Sequence, residues 1–178
     1  MESYSLLMCA PMVTLLVWAA CEDLHSRRIP NWLSFAVLLS GLIQSYTGNC
    51  TVTPGQAWLG FLAGFGLPAI LFALGALGGG DVKLLAGVGA WLGPHDAIWI
   101  FAIAAIVGMC IVLTQATMQG RMKVLLRNSA VVAINLAHVG DVGLEHTTKT
   151  GQASRSVDRP LPYAVPILVA TLAVMIFT

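Results

Sequence analysis

The sequence predicts an all-α polytopic membrane protein with six transmembrane helices and two acidic residues at one membrane boundary. Apolar residues make up 57% of the 178 positions and charged residues only 10%. A soluble domain carries about 25% charged residues. Mean hydropathy is +0.83, so most of this surface must meet lipid rather than water. The apolar residues gather into six runs, roughly 5–21, 32–48, 57–77, 82–94, 97–117 and 161–177. None alternates strictly, and lipid admits only helices or closed barrels, so the runs read as helices of one membrane-embedded domain, 1–178.

The first run, 5–21, lacks the basic residues that precede a secretory signal, since Met1-Glu2-Ser3-Tyr4-Ser5 holds no Lys or Arg. It reads as an uncleaved first span. The loop Glu22-Asp23-Leu24-His25-Ser26-Arg27-Arg28 follows. Ile29-Pro30-Asn31 closes it, with Pro30 suited to the first turn of the second span. The second loop, Gly48 to Gln56, has no charge. The third is Gly78-Gly79-Gly80-Asp81, leading into Val82-Lys83-Leu84-Leu85. The fourth run is short and holds Gly87, Gly89 and Gly93. It reads either as a half-helix or as a helix that begins below the membrane surface. Gly93-Pro94-His95-Asp96 makes the fourth loop, on the face opposite Asp23 and Asp81.

Residues 118–160 form the longest stretch between spans. The first half mixes bases with apolar residues and suits a helix lying in the interface. The second half, Gly140 to Arg159, reads as a linker. Leu161-Pro162-Tyr163 opens the last run and reads as a helix start with an interfacial aromatic. With six spans, all nine Lys and Arg residues fall on one side. That side is expected to be cytoplasmic, which puts both termini outside.

This topology carries the chain out and back between Asp23 and Asp81, so both acids reach one boundary. An acid beside a membrane-length apolar run is a functional-site hypothesis. Asp81 also suits a helix N-cap, and Asp23 a solvated loop near Arg27 and Arg28. As a pair they can share a proton, because two neighbouring carboxylates do not ionise together easily. One could then activate water while the other protonates a carbonyl, the division of labour of aspartic proteases. Lys83 reads as a membrane-edge snorkeller, or as a bias on the carboxylates. Cys9, Cys21 and Cys110 lie in or beside apolar runs and read as small buried hydrophobes. The four cysteines, Cys50 among them, form no Cys-x-x-Cys pair, and neither a metal site nor a cofactor is expected. A net charge of +1 gives no reason to expect nucleic acid.

Gly78-Gly79-Gly80-Asp81-Val82-Lys83-Leu84 resembles the Gly-x-Gly-Asp-x-Lys-Leu signature of type IV prepilin peptidases, the GxGD membrane aspartic proteases. Asp23 through Ile29-Pro30-Asn31 resembles that family's first catalytic aspartate and its Ile-Pro-Asn. The resemblance covers residues 5–117 and, more loosely, the last span. It implies Asp23 and Asp81 as the catalytic pair, with Gly78, Gly80, Lys83, Pro30 and Asn31 supporting them or meeting substrate. The implied substrates are prepilins or pseudopilins with a basic leader and an apolar helix, cut after a glycine at the cytoplasmic face of the bacterial inner membrane. The short N-terminus resembles the minimal peptidases of tight-adherence (Flp-type) pili. The cytoplasmic domain and cysteine pairs of longer members are not expected, and neither is N-methyl transfer. Two other readings use the same acids: a small transporter or proton or cation channel, and a non-catalytic scaffold of a secretion apparatus.

Overall fold

The computed structural model describes residues 6–47, 52–73, 77–118 and 163–177. Among them are six α-helices and no strand: α1 (Leu6–Ser26), α2 (Asn31–Thr47), α3 (Pro54–Ala73), α4 (Gly79–Leu92), α5 (Pro94–Met118) and α6 (Ala164–Phe177). The interfacial helix and linker expected over 118–160 lie outside the described residues beyond Met118, as do Leu161 and Pro162. α3 and the Pro94–Gln115 part of α5 are long and apolar enough to cross a membrane, and α6 is apolar but shorter.

The helix boundaries correct one expectation directly. Residues 22–26 are not a loop, because α1 runs on to Ser26. Arg27 ends it with φ 55°, the left-handed conformation usual for glycine at this position. Its N–H donates to the Asp23 carbonyl at 2.9 Å. Ser26 Oγ donates to the Glu22 carbonyl at 2.9 Å and also lies 3.2 Å from the Arg28 carbonyl. Polar side chains thus cap the helix rather than dissolve it. Pro30 stands just before α2 instead of in its first turn, and its carbonyl accepts from Leu33 and Ser34.

α4 is the hub. Every residue from Leu84 to Leu92 is buried, and α3, α2, α5 and α6 all pack on it. Lipid supplies no hydrophobic drive between helices, so close backbone approach must hold them. Gly60 and Gly64 of α3 provide that approach. A Cβ on Gly60 would run into the Gly89 carbonyl, and one on Gly64 into the Leu85 carbonyl. A Cβ on Gly89 would meet the Gly60 carbonyl in return. On the other side Gly87 admits Val37 of α2. Trp91 donates its indole N–H to the Val37 carbonyl at 2.9 Å, with Ser40 Oγ at 3.2 Å. Gly93, with φ 88°, then turns the chain directly into α5.

The outer faces are apolar. Trp18, Trp32, Phe35, Ile43, Leu62, Ile70 and Ile106 are all exposed. Patches on this scale are foreign to a water-soluble monomer and natural against hydrocarbon. This arrangement also corrects the reading of the cysteines. Cys9 is buried, but Cys21 and Cys110 are exposed on the outer surface, because an apolar residue in such a chain can face lipid as well as core.

The seam makes a stability prediction. Gly60→Ala and Gly89→Ala should each cost about 1–3 kcal/mol through overpacking, seen as a lower melting temperature. Gly66→Ala has nothing within 4 Å of the added carbon and should hold or raise it. Equal effects at all three positions would remove backbone contact from the account.

Candidate active site

Four helix ends meet where the two acids lie. α1 finishes there, and α2, α4 and α6 begin there. Asp23 sits in the last turn of α1 with only 4% of its surface exposed. A buried carboxylate needs hydrogen-bond partners. Asp23 finds one 141 residues away: the Ala164 N–H donates to its Oδ2 at 3.0 Å. Ala164 is the first residue of α6, so its N–H has no partner within its own helix.

Asp81 lies in the first turn of α4, whose N-cap is Gly78. The acid is therefore the third helical residue rather than the cap itself. It reaches back to hydrogen-bond the Gly78 backbone, as the acid of a capping box does. A Cβ on Gly78 would stand 2.7 Å from Asp81 Oδ2, so the glycine leaves room for the carboxylate to fold back. Gly80 has a related function: Ile29 packs against it, 3.2 Å from where a Cβ would be.

Both acids lie beyond the apolar runs 5–21 and 82–94. Burial pushes the Asp81 carboxyl up to about 7, the Asp23 charge adds to the rise, and the Gly78 hydrogen bond opposes it. Burial also raises Asp23, and the Ala164 N–H opposes that rise. The structure therefore brings Asp23 and Asp81 within each other's field, each with one backbone partner. Such a pair can hold one proton between them at neutral pH.

The supporting positions are also placed. Lys83 Nζ donates to Asn31 Oδ1 at 2.9 Å, which ties the start of α4 to the start of α2. Pro30 and Ile29 complete the short connection from α1 to α2. At the opposite end of α4, His95 Nδ1 and Asp96 Oδ1 pair at 3.1 Å. Among the described residues no group of three or more His, Cys, Asp or Glu side chains could hold a metal. Ala164 carries no sequence signal, because a backbone N–H is the same in every residue but proline. Tyr163 could be noticed only as the start of a helix.

The raised Asp81 carboxyl has a thermodynamic signature. The folded state binds this proton more tightly than the unfolded chain, so stability falls as pH rises from about 4 to about 7. Asp81→Asn removes the titrating group. Its melting temperature should gain on that of the wild type across this window and level off above it. A constant difference from pH 4 to 8 would contradict the raised carboxyl.

Comparison with known proteins agrees with the motifs. The model of the type IV leader peptidase family matches residues 10–113, which include both acids. An Escherichia coli type 4 prepilin-like proteins leader peptide-processing enzyme is 32% identical over 101 residues, covering 53% of this chain and 38% of that protein. Prepilin leader peptidase/N-methyltransferases from two strains of Burkholderia pseudomallei are 32% identical over 108 residues, covering 57% of this chain and 34% of theirs. The chain thus spans little more than a third of the length of these curated relatives. No solved structure gives a significant match. With more than half of its length matched, and the Gly78–Asp81 turn and Asp23 both inside that match, the chain belongs to the type IV leader peptidase family.

Proposed function

We propose that the chain is an aspartic endopeptidase that removes the leader from type IV or Flp-type prepilins at the cytoplasmic face of the bacterial inner membrane. The observation that carries this reading is the pairing of Asp23 and Asp81: two carboxyls from distant helix ends, each disfavoured in its charged form by burial, and close enough to interact. The ionised acid takes a proton from water as the oxygen attacks the scissile carbonyl. The protonated acid gives its proton to the carbonyl oxygen. Collapse of the tetrahedral adduct breaks the C–N bond, and the proton gained from water passes to the leaving amine.

The surroundings suit such a substrate. Apolar outer faces admit a substrate helix from the bilayer, while the polar turn Ser26-Arg27-Arg28 remains exposed beside the acids. The Lys83–Asn31 bond keeps the two helix starts in register.

Purified protein incubated with a candidate prepilin should release the leader, with mass spectrometry locating the cut beside the apolar helix. Asp23→Asn and Asp81→Asn should each lower the rate by about 10²–10⁴-fold while remaining folded in the membrane. Cleavage at the wild-type rate in either variant would disprove the paired mechanism. Ion flux through liposomes without any cleavage would establish the transporter reading instead.

A further inference from the structure

The first turn of α6 reaches Asp23 through a backbone N–H, and the residue just before that turn packs its side chain on α5. Tyr163 precedes Ala164, and its carbonyl accepts from the Ile167 N–H at 3.3 Å, which makes it the N-cap of α6. Its ring lies over Gly108 of α5: a Cβ there would stand 3.0 Å from the hydroxyl and 3.1 Å from Cζ. Any larger residue would lift the ring. Helix lengths explain the meeting. Gly108 is fourteen residues after Pro94, or about 21 Å along α5. α4 has 14 residues and runs back about the same distance. Gly108 is therefore level with Asp81.

We propose that Tyr163 and Ala164 are positioning residues of the catalytic pair: the Ala164 N–H, seated by Tyr163 on Gly108, holds Asp23 ionised as the base and leaves the shared proton on Asp81 as the acid. This assignment rests on the peptidase reading above. Asp23 needs the help because it lies at the carbonyl end of α1, where the helix dipole opposes a negative charge. The start of α6 presents the opposite end of a dipole, with an unpaired donor aimed at Oδ2.

Among the described residues, the groups that bear on Asp23 are few. α1 packs on α2 and α6. The start of α6 brings Tyr163, and the start of α4 brings Asp81 and Lys83. Tyr46, the titratable residue of α2, is at that helix's far end. Glu22, His25, Arg27 and Arg28 belong to α1 and its turn.

Proline is favourable at the first position of a helix, so Ala164→Pro deletes this one donor while α6 can still form. In an Asp81→Asn background, the protonated-carboxyl infrared band of Asp23 can be titrated without substrate. Ala164→Pro should move that titration up by about one to two pH units. Ala164→Gly, which keeps the N–H, should leave it in place. With Asp81 intact, the acid limb of kcat/KM for prepilin cleavage should move in the same direction. Should Ala164→Pro fail to fold, Tyr163→Ala should produce the shift and Tyr163→Phe should restore the wild-type position.

An unmoved band in Ala164→Pro overturns the proposal, and so does an equal shift in Ala164→Gly. In the fallback pair, Tyr163→Ala without a shift overturns it as well. If prepilin is cut normally while the band stays put, only the α6 assignment falls. If the band shifts but the protein with both acids and Ala164 intact cuts no prepilin, the peptidase reading falls and takes the assigned base with it.

Discussion

The close approach of the α3 and α4 backbones is the constraint from which the rest of the arrangement follows. α4 is only 14 residues long, about 21 Å, against roughly 30 Å of hydrocarbon. A helix that short cannot be held by its ends. It is held along its side, where Gly60 and Gly64 let α3 settle on the α4 main chain and α2 closes over the other flank through Val37 and Trp91. Once α4 is embedded in this way, its first turn opens inside the molecule rather than in bulk solvent. Asp81 is half-buried for that reason, and its ionisation is costly for the same reason.

The other helices bring their ends to that point. α1 places Asp23 there because Ser26 and Arg27 cap it one turn later than the polar sequence suggests. α2 starts alongside, fastened to α4 by the Lys83–Asn31 bond and by Ile29 on Gly80. α6 arrives from the far end of the chain and contributes a donor. The site is thus assembled from helix termini, where backbone N–H and C=O groups are left over. A membrane interior rich in apolar side chains offers few polar groups, and helix termini are where the main chain can supply them.

Much of this was legible in the sequence, for identifiable reasons. Three glycines and an acid cannot pass for part of an apolar helix, so Asp81 stood out. Asp23 stood out by its nearness to an apolar run. The end of α1 was misplaced because Glu22, Asp23 and His25 have the composition of a loop, and only the Arg27 turn and the Ser26 hydroxyl show that the helix continues. Cys21 and Cys110 were misread as buried because hydrophobicity does not separate core from lipid face. The Lys83–Asn31 bond joins residues 52 positions apart, and nothing in either local stretch announces the other. The Ala164 contact lay beyond sequence reasoning altogether, since its chemistry belongs to the main chain.

The two acids are chemically identical, yet their settings are not interchangeable. Asp81 stands at the amide end of α4, where dipole and Gly78 both favour its charge. Burial and the neighbouring carboxylate override them. Asp23 stands at the carbonyl end of α1, where the dipole works against it, and depends on a donor borrowed from α6. Opposed influences of this kind act on both carboxyls, with burial set against a backbone hydrogen bond at each. An exchange of either helix end for a neutral loop would unbalance the pair. The apolar bundle therefore acts on both carboxyls through the orientation of its helices as well as through the exclusion of water.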